Sequence, residues 1–235
     1  MDIIKKMLED IPLPKMVKVE QKFYAPELAN VASEVHKVIE QAGVLERVKK
    51  GERVAIAVGS RGIADLEILV REVVKAVKSV GGNPFIVPAM GSHGGASGEG
   101  QMEVLEDLGV IEGIVGAPII SSMEVVRVGF LPNGLPVYVD KHAYESDHVI
   151  IINRIKAHTA FRGAVESGLL KMLTIGLGKQ KGAEAAHLYG FENMFKHVPE
   201  MAEIILKNVN FLLGIGTIEN AYDRIAKIVA LPAER

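Results

Sequence analysis

The sequence contains no cysteine and no tryptophan, and only 5% of its 235 residues are aromatic. Without a thiol there is no disulfide framework, no thiolate nucleophile and no Cys-built zinc or iron–sulfur site. Any metal must then be held by histidine, carboxylate or an atom of a cofactor. Scarce aromatics argue against stacking platforms for single strands or sugars. Excess charge of one sign is missing too: a formal net charge of -2 and a pI of 6.4 leave no basic footprint for nucleic acid. No apolar run reaches the roughly 18 to 20 residues of a membrane span, and Met1 to Asp10 is too short and too charged for a signal peptide. These absences predict a cytoplasmic chain with no nucleic-acid and no membrane partner.

What is present is a chain that is 49% hydrophobic and 24% charged, enough to bury a sizeable core. Arg53 to Val58 and Pro84 to Val87 are apolar runs of the kind buried on both faces of a parallel sheet. Each leads into a Gly- and Ser-rich loop and then into helical spacing, over Asp65 to Val80 and from about Glu99 to Leu108. Upstream, alternation over Met16 to Phe23 predicts a strand, and Glu27 to Ala42 a helix. Asn133-Gly134 between Val125–Phe130 and Val137–Asp140 is a hairpin signal. His148 to Asn153 returns to the buried-strand type, and beyond it the pattern predicts a helix over Glu192 to Lys207, a strand over Phe211 to Thr217 and a closing helix over Glu219 to Val229. The expected fold class is α/β: a Rossmann-like domain with a mostly parallel sheet, helices on both faces and an inserted β-hairpin.

In such sheets ligands bind beyond the carboxyl ends of the strands, where Ser60-Arg61 and Ser92-His93 fall. Arg61, among small neighbours, suits capture of a carboxylate or phosphate; its alternative is a surface ion pair. His93 sits in Gly91-Ser92-His93-Gly94-Gly95, where it could equally meet a ligand or cap a helix. The Gly-rich stretch from Asn153 to His187 follows a third strand. Glycines there, Gly168 among them, allow main-chain N–H groups to approach a phosphate. His158 lies among Arg154, Lys156 and Arg162, a cationic loop that would attract an anion. Lys171 interrupts an apolar helical pattern, and such a lysine either snorkels or is held as an amine. At His187 a metal ligand and a helix-capping histidine look alike. His36, His142, His148 and His197 lack comparable surroundings and read as structural.

The loops Val58-Gly59-Ser60-Arg61-Gly62-Ile63, Pro88 to Gly95, Asn153 to Thr159 and Ser167 to Leu173, with the later His187, resemble the N-terminal domain of the nickel-pincer lactate racemase family. The resemblance runs over nearly the whole chain, and its specific element is the ordered set His93, His158, Lys171, His187. It implies a 2-hydroxyacid racemase or epimerase working by hydride transfer to and from a nickel-pincer pyridinium nucleotide. Lys171 would be its covalent tether and His187 the nickel ligand. His93 and His158 would be catalytic acid–base groups on opposite faces of a small 2-hydroxyacid, Arg61 and Ser60 substrate contacts, and Ser92, Gly94, Gly95 and Gly168 further cofactor contacts. It also implies cofactor-synthesis enzymes as partners, and a C-terminal domain that would close the site and that residues 1–235 do not contain. Departures from the lactate pattern, such as Gly62-Ile63 after Arg61 and Gly94 after His93, confine the implication to the 2-hydroxyacid class. Two other readings of the same residues are a non-catalytic phosphate- or nucleotide-binding module and a His-ligated metal hydrolase.

Overall fold

The computed structural model describes residues 2–12, 14–160 and 162–233. In chain order the helices and strands are α1 (Asp2–Leu8), α2 (Val31–Ala42), β1 (Arg53–Val58), α3 (Leu66–Ser79), β2 (Asn83–Pro88), α4 (Gly98–Asp107), α5 (Glu112–Val115), β3 (Val125–Phe130), β4 (Pro136–Asp140), α6 (Lys141–Tyr144), β5 (His148–Arg154), α7 (Leu169–Lys171), α8 (Lys179–His187), α9 (Met194–Asn208), β6 (Phe211–Glu219) and β7 (Ile225–Pro232). A π-turn over Met172–Gly176 joins α7 to α8.

Among the described residues the main sheet has the order β2-β1-β5-β6-β7; the first four strands are parallel and β7 is antiparallel. Alternation along β1 divides the core. Val54, Ile56 and Val58 face the side packed by α2 and α3, with Val35, Leu69, Val73 and Val77. Ala55 and Ala57 face the other side, where Val137 and Val139 of the hairpin and Val198, Met201 and Ile205 of α9 pack. Helices therefore cover both faces, as the buried apolar strands require. The expected α/β class, parallel sheet and inserted hairpin are all present. No helix among the described residues is long and apolar enough to cross a membrane.

Two expected elements are corrected. The closing helix is strand β7. Asn220 Oδ1 accepts from Tyr222 N at 2.9 Å and Arg224 N at 3.2 Å, turning the chain back so that Ile228 pairs with Thr217. The apolar spacing of Ile225, Ile228 and Val229 suits either period, and the open edge of β6 decides it. Met16 to Phe23 forms no strand and lies exposed. Its alternation has the β period, but no neighbouring strand supplies a ladder. The helix expected from Glu27 starts at Val31, where Asn30 Oδ1 caps Ser33 N at 2.9 Å.

Candidate active site

The loops that leave β1, β2 and β5 meet at the carboxyl edge of the sheet and, with the π-turn and α8, enclose a cleft of about 410 Å³. Ser60, Arg61, Ser92, His93, His158, Lys171 and His187 all line it. The topology explains the convergence: β1 is central between β2 and β5, so residues 33 and 98 positions away from Ser60 reach the same opening.

His93 Nδ1 is hydrogen-bonded to Ser60 Oγ. Partial burial, and after it the positive charges of Arg61 and Lys171, hold His93 below the ordinary histidine range, so it stays an unprotonated base to lower pH. His158 is pushed the same way, first by burial and then by Lys171, with Glu166 pulling against them. Its Nδ1 accepts from Ala160 N at 3.1 Å, and its Nε2 lies 3.0 Å from Lys171 Nζ. A neutral His158 whose Nδ1 is an acceptor carries its proton on Nε2, the nitrogen that faces Lys171 Nζ. Lys171 is displaced toward that neutral form, first by burial and then by the charges of Arg61 and Lys156. The pair thus sets a lysine biased toward its amine form beside an imidazole.

His187 closes α8. Its Nδ1 donates to Ala183 O at 2.6 Å, which leaves Nε2 as the lone-pair nitrogen and is the tautomer a metal ligand uses. Phe191 stands edge-on to this ring, 5.3 Å between centroids, and 6.3 Å from the ring of His158. Among the described residues, no three His, Asp or Glu side chains converge as a metal site. A metal brought with most of its own ligands needs only one imidazole from the chain.

The remaining expected residues divide. Arg61 is exposed at the cleft and has no ion-pair partner among the described residues. Ser60 is engaged with His93. Gly94, Gly95 and Gly168 lie outside the lining. A Cβ at Gly94 (φ 64°) would come within 2.5 Å of Gly100 C, so that glycine serves close packing of the loop on α4. Gly168 offers its carbonyl to Asn153 Nδ2 at 2.7 Å and starts α7.

The cationic loop around His158 is also corrected. Arg154 turns away to Glu219 and Asp223, and Arg162 binds the carbonyl of His158 and pairs with Glu166 at 3.6 Å. Only Lys156 of the three lines the cleft. Of the histidines expected to be structural, His36 pairs with Glu72, His148 with Glu52 and His197 with Asn133; His142 sits on α6, outside the cleft lining.

Sequence reasoning passed over Glu166, whose carboxylate accepts from His158 N at 2.7 Å and Gly163 N at 3.3 Å and so shapes the loop. Phe191 was missed as well; the scarcity of aromatics was the signal that could have drawn attention to it.

A family model described as the lactate racemase N-terminal domain matches residues 5–197. Among solved structures, the lactate racemase apoprotein from Thermoanaerobacterium thermosaccharolyticum superposes with a TM-score of 0.61 at 15% identity, over 89% of this chain and 54% of that one. The chain thus spans about half the length of that protein. No curated protein is a significant match.

Proposed function

The chain belongs to the lactate racemase N-terminal domain family, and on that premise we propose that it forms the cofactor-holding, acid–base half of a 2-hydroxyacid racemase. The observation that carries the reading is the convergence of His93, His158, Lys171 and His187 on one cleft, with Lys171 Nζ held 3.0 Å from His158 Nε2. The residues fit the nickel-pincer nucleotide of the family on two counts. Lys171 is disposed toward the neutral amine a covalent tether needs. His187 is fixed in the tautomer that frees Nε2 for a metal. When bound, that group supplies a hydride acceptor and donor for C2 of the substrate.

The chain's own residues supply the rest. Arg61, exposed at the cleft and unpaired among the described residues, binds the substrate carboxylate. One neutral histidine takes the hydroxyl proton of one enantiomer, and the other histidine returns a proton on the opposite face. Both are biased toward the neutral form, which suits the role of base, and an imidazole can give the proton back as acid. Ser60, bonded to His93, orients that ring and stands beside Arg61 in the cleft lining.

The test is twofold. Mass spectrometry of cofactor-loaded protein is expected to find an adduct on Lys171. His93→Asn and His158→Asn are each expected to lose about 100- to 10,000-fold in racemisation, the usual worth of a positioned acid–base group. Retained activity in either variant refutes the two-base reading. Absence of any adduct favours a module that only binds anions through Arg61 and Lys156. In deuterated solvent, retention of the C2 hydrogen separates hydride transfer from proton abstraction.

A further inference from the structure

Lys179 opens α8 with φ 55°, a left-handed conformation that glycine adopts freely and a side chain adopts at a cost. Its side chain is fully buried. The residue is thus retained against both backbone strain and the desolvation of an ammonium group, and the contacts of Nζ account for it. It donates to Pro88 O and to Gln101 Oε1, the latter at 3.0 Å, and forms an ion pair with Asp140 Oδ2 at 3.4 Å. The other end of the Gln101 amide donates to Gly91 O at 2.8 Å and His93 O at 3.3 Å. Gln101 is itself fully buried.

Pro88 ends β2 and is the root of the loop that carries His93, and Gly91 and His93 are the body of that loop. One buried cation therefore grips the loop at its root directly and at its body through an amide. The same residue begins the helix that ends in His187, and Asp140, at the end of β4, anchors it from below while capping α6 at Ala143 N, 2.9 Å away. The far side of the loop is fixed independently, where His93 Nδ1 meets Ser60 from β1's loop.

We propose that Gln101 and Lys179 are positioning residues for His93: together they hold the backbone of its loop so that the imidazole stays against Ser60 and in the cleft. The purpose assigned to this device rests on His93 being an acid–base group, but its geometry does not. Two variants separate it from general stability. Gln101→Glu still accepts from Lys179 but has no donor for the carbonyls of Gly91 and His93. Lys179→Met combined with Asp140→Asn removes both charges of the buried pair together and keeps an acceptor for the α6 cap, so no uncompensated charge is left inside.

The readout is the pair of ring-nitrogen NMR signals of each histidine in the cofactor-free chain. In the parent protein the Ser60 contact engages Nδ1 of His93, and the two ring nitrogens give a pair of signals set by that contact. In both variants this pair is expected to move toward the positions of a free imidazole for His93 while His148, paired with Glu52 at the other end of the sheet, keeps its own signals. Unchanged His93 signals in a folded variant overturn the proposal. Equal changes at His148 overturn it as well, because they mean general loosening. Racemisation is not read, so a failure of the acid–base role of His93 stays distinguishable from a failure of this device.

Discussion

Replacing Glu72 by glutamine tests the electrostatic reasoning at a point where its size can be worked out. The Glu72 side chain is only 5% exposed on α3 and is met by Lys75 Nζ at 2.8 Å, His36 Nε2 at 2.8 Å and Arg71 Nε at 3.2 Å. Burial pushes its carboxyl up, but the bonds from Lys75, His36 and Arg71 outweigh that and hold it at about 2, against 4.5 for a free glutamate. At about 1.4 kcal/mol per pH unit this difference stabilises the folded chain by roughly 3 kcal/mol at neutral pH. Exposure of Lys75 and His36 to solvent trims the figure toward about 2 kcal/mol. The folded value is the depressed one, so the contribution is complete above pH 4.5 and is lost as pH falls toward 2, with about 2 of the 3 kcal/mol gone by pH 3. Urea unfolding, which unlike guanidinium leaves charges unscreened, should find Glu72→Gln less stable by about 2 to 3 kcal/mol at pH 7, with the gap narrowing steadily below pH 4.5. Equal stability at pH 7, or a gap that persists unchanged to pH 3, refutes the reasoning.

Two further outcomes concern the cleft. Lys171, biased toward the neutral amine by burial and by Arg61 and Lys156, should be acylated at lower pH than exposed lysines such as Lys37; peptide mass spectrometry after brief labelling across a pH series reads this, and simultaneous labelling of the two counts against it. Gly176→Ala would place a Cβ 2.6 Å from Met172 Sδ and 2.7 Å from Ala89 O, and the carbonyl belongs to the root of the His93 loop; overpacking of this kind should destabilise by about 1 to 3 kcal/mol in urea unfolding.

How much of this could be read from the chain depends on what fixed each feature. The parallel strands were legible because apolar runs such as Arg53–Val58 tolerate no other placement, and the hairpin because Asn133-Gly134 has a local preference of its own. Ser60, Arg61, Ser92 and His93 were legible from their addresses at strand ends, and His158, Lys171 and His187 from their order in the Gly-rich stretch that follows β5. Strand β7 was not, since Ile225 to Pro232 owes its conformation to the free edge of β6, a partner that exists only in three dimensions. The same holds for Lys179: in Gly178-Lys179-Gln180-Lys181 two lysines look alike, yet one is buried against Gln101 and Asp140 and the other is exposed. Nothing local distinguishes them. The contact between Ser60 and His93 was not legible for a related reason, because the two residues arrive from different strands.

The charges at the cleft link binding to chemistry in one direction. Arg61, Lys156 and Lys171 line it, and Glu166, the carboxylate nearest to them in the β5 loop, is committed to the N–H groups of His158 and Gly163. A cleft so biased discourages protonation of His93, His158 and Lys171 for as long as no anion enters, which shifts each of the three toward its neutral form. An anionic ligand offsets part of this positive field and raises the proton affinity of whichever group it approaches. A carboxylate held at Arg61 would therefore favour uptake of the proton that a neutral histidine must accept from the neighbouring hydroxyl, so the group that orients the substrate also supplies part of the driving force for its deprotonation. Under the proposed reading, covalent modification of Lys171 would act through the same field, since it would remove the lysine charge 3.0 Å from His158 and return that imidazole toward its ordinary basicity. Tether formation and base strength would thereby be coupled through a single nitrogen.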